Sequence, residues 1–169
     1  MRRILLSCAI LGVALLPAAA SASVPGHAKV GFLVVRRAAG DGGVHGKPVV
    51  TVVVHGFVLG RVSQEGIVDV YHLPSSNAPV AVGGDHSHTA VRWKRLSGTE
   101  FFGSGFRFSA IGGYYRVVVR GAGIYLFAGG HGRVWLHGSS VNPRADGNFS
   151  LDGRKPRSLP QRTLKRGIG

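Results

Sequence analysis

The sequence predicts an all-β fold: a single antiparallel β-sandwich or barrel-like domain of about nine or ten short strands, after an N-terminal signal helix. Three observations predict this class. Residues 49–54, VVTVVV, are nearly all β-branched, which favours a strand that is buried on both faces. Apolar and polar residues alternate along 114–120, and glycine clusters recur about every ten residues. No amphipathic helical pattern follows the N-terminal segment.

Glycine clusters divide the chain into its predicted strands. Val30–Val35 forms a first strand, and a glycine-rich loop over 38–48 follows it. Residues 86–95 alternate as a half-buried strand does, and residues 114–137 predict a three-stranded meander. Turns are predicted at residues 55–56, 64–66, 83–85, 121–123 and 129–132, and a bulge or sharp corner at 103–105.

The N-terminus predicts secretion. Arg2 and Arg3 precede an apolar stretch, Ile4–Leu16, and small residues follow as far as Ala20–Ala22. This is the layout of a secretory signal peptide over residues 1–22. The alternative is a retained membrane anchor, although a spanning helix needs at least about 18 apolar residues. We therefore expect a secreted, extracytoplasmic protein that associates with the cell envelope.

The cysteine count limits how the domain is stabilised. Cys8 is the only cysteine in the chain, and it lies inside the predicted signal peptide. Disulfide scaffolds, thiol catalysis and cysteine-based zinc sites are therefore excluded for the mature protein. The predicted organisation is a signal peptide over 1–22, an all-β domain over 23–152 and a basic, mostly disordered tail over 153–169.

The charge of the chain favours anionic partners. Removing Arg2 and Arg3 from the 21 basic residues leaves 19 against 7 acidic residues, a net charge of +12. Such an imbalance favours cell-wall polymers, lipid headgroups, polysaccharides or nucleic acid. The alternative is a charge that only keeps a secreted protein soluble, or that reflects a GC-rich genome. Secretion argues against a specific nucleic acid as the main ligand.

Two groups of residues are candidates for anionic-surface binding. The first is the tail, where each basic residue near an anionic surface contributes roughly 1 kcal/mol. The second is a sheet face on which basic residues alternate with aromatic ones. The tail residues are Arg154, Lys155, Arg157, Arg162, Lys165 and Arg166, and the face residues are Arg116, Arg120, Arg133 and Trp135. The alternatives are a solubilising chain end and the ordinary solvated face of a half-buried sheet.

Two histidines are candidates for metal binding. His86 and His88 are two positions apart in a predicted strand, so their side chains project to the same face. Zinc needs three or four ligands, and Asp85 would point to the opposite face of a regular strand. The competing interpretation is a pair of exposed turn residues before the strand. No cofactor is predicted.

Catalytic patterns are weak in this chain. Gly121–Gly123 is followed by a strand rather than a helix, so it lacks the helix N-terminus of a phosphate-binding loop. The sequence contains no G-x-S-x-G nucleophile elbow. The few carboxylates lie mostly beside glycine, where turn residues are common. No catalytic residue is assigned, and a non-enzymatic role is favoured.

The glycine-rich segment from Phe101 to Pro160 resembles a pattern in uncharacterised secreted β-rich proteins of actinobacteria. In that pattern a glycine-rich meander precedes a closing element of the form G-x-[FY]-S-x-D-G. The matching residues here are Gly147, Phe149, Ser150, Asp152 and Gly153. The resemblance implies a small secreted all-β protein and brings no catalytic residues.

These features predict a secreted, non-enzymatic envelope-associated module that binds anionic polymers or surfaces. Its predicted partner is an anionic cell-envelope polymer, a polysaccharide or a lipid surface. One alternative is a metal-binding protein or metal-dependent enzyme with its site at His86 and His88. Another is a structural protein that pairs through an exposed sheet edge.

Overall fold

The computed structural model describes residues 30–38, 48–74, 76, 78–138 and 146–169. The predicted signal peptide over 1–22 and most of the predicted loop over 38–48 lie outside these residues. Within the described ranges every regular element is a strand, and no helix there could span a membrane. The strands are β1 Gly31–Ala38, β2 Val49–His72, β3 Val80–Gly83, β4 His86–Trp93, β5 Leu96–Gly121, β6 Ile124–His137, β7 Asn148–Leu151, β8 Arg157–Ser158 and β9 Leu164–Ile168. The predicted all-β class is confirmed.

The nine described strands form one antiparallel sheet. The order along the main path is β3-β5-β2-β6-β1-β7-β8, with β4 paired to β5 and β9 paired to β6. The path has two ends, so these strands do not close into a ring. β1 and β9 occupy the same edge of β6 one after the other, because β1 pairs with residues 124–130 and β9 with residues 132–136.

The two longest strands, β2 and β5, coil around each other. Ile67 in β2 pairs with Phe102 on one side and with Arg120 on the other, and both partners belong to β5. The last part of β2 therefore lies between the two ends of β5. Coiling of this kind curves the sheet, so that one face can enclose a core.

The core lies on the concave face of this sheet. Alternate residues of β2, such as Val50, Val52 and Val54, are fully buried, as period-two packing requires. The same buried cluster receives side chains from β1, β5, β6, β7 and β9. The fold is therefore stabilised mainly by apolar burial.

Several predicted turns are bends inside continuous strands. Residues 55–56 and 64–66 lie within β2, and residues 129–132 lie within β6. Gly130 has a φ of +137°, and a Cβ there would lie 2.2 Å from the His55 carbonyl oxygen. Glycine at these positions permits close strand approach and bending instead of chain reversal. The described sheet has nine strands, within the predicted nine or ten, but for this reason β2, β5 and β6 are long instead of short.

The predicted meander over residues 114–137 is also wrong. β5 and β6 are consecutive in the chain, but β2 lies between them and pairs with both. The turn at Gly121–Gly123 does join the two strands, as predicted. A glycine turn therefore connects strands on opposite edges of β2.

The C-terminal segment is folded, which corrects the prediction of a mostly disordered tail. Residues 157–158 and 164–168 form β8 and β9. Leu159 and Ile168 are almost fully buried, and Leu164 packs against the core. The basic residues obscure this apolar spacing in the sequence: Leu164, Arg166 and Ile168 share one face of β9, so a few apolar side chains suffice to dock the strand.

Candidate anionic-ligand groove

The turn between β7 and β8 is fastened to β1. The Asp152 amide donates to the Phe32 carbonyl at 2.8 Å, and the Phe32 amide donates to Oδ1 of Asp152 at 2.9 Å. The Ser150 hydroxyl donates to the Arg154 carbonyl at 2.6 Å. Asp152 and Gly153 both have positive φ, which suits short polar residues and glycine in tight turns. This turn fixes where the chain leaves β7.

Two arginines approach the same opening from different strands. Arg157 in β8 lies opposite Phe149, and Arg166 in β9 lies opposite Val134. Partners in an antiparallel ladder point to the same face. Since Phe149 and Val134 are buried, both arginines lie on the core-facing side of their strands, at the margin of the core.

These residues border a cavity of about 190 Å³ between the β7–β8 hairpin and β9. We call it the basic groove. Its apolar lining is Phe149, Leu151 and Leu164, and its charged lining is Asp152, Arg154, Lys155, Arg157 and Arg166. The lining has four cations and one carboxylate, and Oδ1 of that carboxylate already accepts a hydrogen bond from the Phe32 amide. The groove can therefore hold an anionic group, with apolar surface beneath it.

The other predicted tail residues lie elsewhere. Arg162 is exposed in the segment between β8 and β9. Lys165 projects to the outer face of β9, where its Nζ lies 5.7 Å from the centre of the Trp135 ring. Arg133 lies two positions from Trp135 on that same face of β6. Lys165 and Arg133 are therefore cations of the outer face of the β6–β9 ladder and do not line the groove.

The structure places Arg116 and Arg120 in side-chain clusters. The Arg116 guanidinium lies 4.0 Å from the centre of the Trp93 ring and 5.6 Å from that of Tyr71. Burial lowers the pKa of Arg116, opposed by the charges of Tyr71 and Asp69. Arg120 contacts a carboxylate oxygen of Asp69 at 2.6 Å and one of Glu100 at 3.6 Å. Both arginines stabilise the convex face of the sheet.

Asp69 is a buried carboxyl that sequence reasoning did not single out as perturbed. It is only 4 % exposed, and burial raises its pKa to about 6, although the Arg120 charge opposes this shift. Oδ1 has no donor, and Glu100 is the residue opposite it in β5. A hydrogen bond between two carboxyls needs one to be protonated, which the raised pKa favours. The signal in the sequence was a carboxylate inside the apolar run Ile67–Tyr71.

His86 and His88 share one face, as predicted from their spacing. Their ring centres are 6.5 Å apart, and both rings contact Phe101, at 5.8 Å and 6.2 Å. Nδ1 of His86 lies 2.9 Å from the Gly84 carbonyl oxygen. Among the described residues, no group of three or more histidine, cysteine, aspartate or glutamate side chains could hold a metal ion. The geometry shown by the two rings is packing against a partly buried phenyl group.

Comparisons with protein-family models, with curated proteins and with solved structures find no match to this chain. The groove and the clusters therefore have to be interpreted from their own chemistry.

Proposed function

We propose that the protein is a secreted, non-enzymatic module of the cell envelope that binds an anionic polymer in the basic groove. The observation that supports this function most directly is the convergence of Arg154, Lys155, Arg157 and Arg166 on one cavity. The ligand chemistry is a chain of phosphate or carboxylate groups, since guanidinium groups bind both in a bidentate manner.

The apolar lining of the groove adds selectivity for a polymer over a free ion. A small inorganic anion would contact only the charged border. A polymer segment would also cover Phe149, Leu151 and Leu164 with its aliphatic or sugar carbons. Arg157 and Arg166 lie in the folded strands β8 and β9, and the Arg154 amide is hydrogen-bonded to the Leu151 carbonyl. The groove is therefore organised before ligand arrives, which lowers the entropy cost of binding.

The test is co-sedimentation of the secreted chain with purified, lipid-extracted cell envelope across a salt series. We expect binding at low salt that weakens as salt increases, because the contact is electrostatic. The variant Arg154→Ala/Arg166→Ala removes two groove cations. At roughly 1 kcal/mol each, the loss corresponds to about a thirtyfold decrease in affinity.

A charge-matched control separates the groove from net charge. Arg92→Ala/Arg95→Ala removes two exposed arginines near the β4–β5 turn, far along the chain from the groove. We expect this variant to bind like the wild type. Equal loss in both variants would reduce the interaction to overall charge, and no wild-type binding at low salt would refute the function.

A further inference from the structure

The convex face of the sheet carries a continuous apolar surface across four strands. In one row, Phe32 of β1, Gly129 of β6, Phe57 of β2 and Ile111 of β5 are register partners. In the next row the partners are Val34, Phe127, Leu59 and Ser109. We call the six apolar side chains of these rows the apolar belt. Its members are Phe32, Val34, Phe57, Leu59, Ile111 and Phe127.

The belt is preorganised and exposed. The Phe127 ring stacks on Phe32 at 5.8 Å and meets Phe57 edge-on at 5.2 Å. A Cβ on Gly129 would lie within 3 Å of both Phe32 and Phe57, so the glycine leaves room for their rings. Phe32 and Phe127 are each 39 % exposed, and Ile111 is 57 % exposed. A sheet face that met only water would be polar, and contiguous exposed apolar surface of this kind marks a binding site.

Basic residues border the belt. Arg61 and Arg107 are register partners in the row beyond Leu59, and the Arg61 guanidinium lies 4.1 Å from the centre of the Tyr125 ring. Arg36, Arg61 and Arg107 share one shallow depression with Val34, Leu59 and Phe127. None of the described residues that line this depression is acidic. On the other side of the belt lie His55 and His131, which are register partners, and then Arg133.

We propose that the apolar belt inserts into the surface of an anionic lipid bilayer while the bordering arginines contact its headgroups. Charge complementarity selects this occupant, because amphipathic surfaces with a cationic border are attracted to negatively charged leaflets. Phenyl rings are well suited to the boundary between headgroups and acyl chains. The belt and the basic groove share no lining residue, so the proposal does not depend on the polymer ligand.

The first test is co-sedimentation of the secreted chain with vesicles of phosphatidylcholine, with and without phosphatidylglycerol. We expect binding only to the vesicles that contain phosphatidylglycerol. Phe32→Ser/Phe127→Ser should lower the partition coefficient at least about tenfold, since each phenyl group loses its transfer into the bilayer. The control Phe102→Ser is matched to the single variant Phe127→Ser, because Phe102 is 43 % exposed and Phe127 is 39 % exposed, but Phe102 lies outside the belt.

A second measurement uses tryptophan fluorescence, in which binding produces a new signal. Phe127→Trp should show blue-shifted emission on anionic vesicles and quenching by brominated acyl chains, whereas Phe102→Trp should show neither. A second groove variant, Arg157→Ala/Arg166→Ala, should bind the vesicles with at most about a threefold loss, since these two cations line the groove and not the depressions that contain belt residues. This separates failure of the belt from failure of the groove.

Three results would overturn the proposal. One is the absence of wild-type binding to anionic vesicles. Another is an equal loss in Phe102→Ser, which would indicate general adhesion. The third is a dimer in solution that Phe32→Ser/Phe127→Ser dissociates while vesicles remain unbound, since the belt would then join two copies of this chain.

Discussion

Two regions of this molecule are rich in arginine, and they use it differently. On the convex face, Arg116 lies against Trp93, and Arg120 pairs with Asp69 and Glu100. At the C-terminal end, Arg154 and Arg166 border a cavity together with two further cations and one carboxylate. The guanidinium groups of the first pair contact other side chains of the protein, whereas those of the second pair are directed at solvent.

The difference shows that a basic, aromatic-flanked sequence pattern does not by itself identify cations that are directed at solvent. Arg116 and Arg120 have the alternating, aromatic-flanked pattern expected of a binding face, yet their partners are intramolecular. Arg154 and Arg166 lie in a segment whose composition suggests a solvated tail. However, backbone hydrogen bonds of the turn after β7 hold Arg154, and β9 holds Arg166. Mutations in the two regions should therefore affect different properties.

The largest effect on stability should come from truncating Ile168, the buried residue that holds β9 against the sheet. Ile168 is 1 % exposed and pairs with Gly132 in β6. Ile168→Ala should lower the free energy of unfolding by about 3 kcal/mol, as expected for a buried aliphatic truncation. It should also weaken polymer binding without removing a cation. Chemical denaturation measures the first effect, and unchanged stability would mean that β9 is not docked as the structure shows.

The next effect concerns Arg120 in the cluster that it forms with Asp69 and Glu100 on the convex face, here called the convex cluster. Arg120→Ala leaves the Asp69 carboxylate without its cationic partner. At pH 7.5 we expect the free energy of unfolding to fall by about 2 kcal/mol. This is below the range for fully buried ion pairs, because Arg120 is partly exposed. The loss should be smaller at pH 5, where Asp69 is largely protonated. Denaturation of Arg120→Ala and of the exposed control Arg92→Ala at both pH values tests this. Equal losses in the two variants would remove the distinction between the regions.

The fold class was predictable because strand periodicity survives in a single sequence. Alternation along β5 identifies the face that carries the buried side chains Val117 and Val119. The β-branched run 49–54 predicted a strand buried on both faces, but only Val50, Val52 and Val54 are fully buried, while the residues between them are partly exposed. Strand boundaries were not predictable, because a glycine that bends a strand and a glycine that reverses the chain look alike. Only the close approach of Gly130 to the His55 carbonyl distinguishes the two uses.

The basic residues of the candidate groove were predictable from the sequence, but their arrangement around one cavity was not. The tail arginines were identified from charge, whereas the groove depends on Leu159 and Ile168 docking two very short strands. The ion pair of Arg120 depends on Asp69, which lies 51 positions away in the chain. Contacts at such separations are set by strand order, and strand order cannot be obtained from local patterns.

A pH series sharpens the description of the convex cluster. The pKa of Asp69 is raised from 3.8 to about 6 by burial, so between these values the folded state binds more protons than the unfolded state. The free energy of unfolding should therefore fall as the pH rises from about 4 to about 6, by roughly 2 kcal/mol. Arg120, Glu100 and Tyr71 act on this carboxyl and are unchanged in Asp69→Asn.

Asp69→Asn should remove that decrease, while Asp85→Asn, in an exposed turn, should keep it. Urea unfolding at several pH values gives the difference directly. If the free energy of unfolding of Asp69→Asn fell by the same amount over this pH range, other groups would be responsible for the decrease. The Asp69–Glu100 pair would then have no influence on this pH dependence of stability.

The smallest effect on stability should belong to the groove, where the largest effect on binding is expected. Arg154→Ala and Arg166→Ala remove exposed side chains that border a cavity, so each should change the free energy of unfolding by less than about 0.5 kcal/mol. A site that concentrates like charges is not optimised for stability, and removing one cation relieves repulsion among the others. If either variant were instead clearly destabilised, that arginine would have a structural role like Arg120. The contrast between the two arginine regions would then be lost.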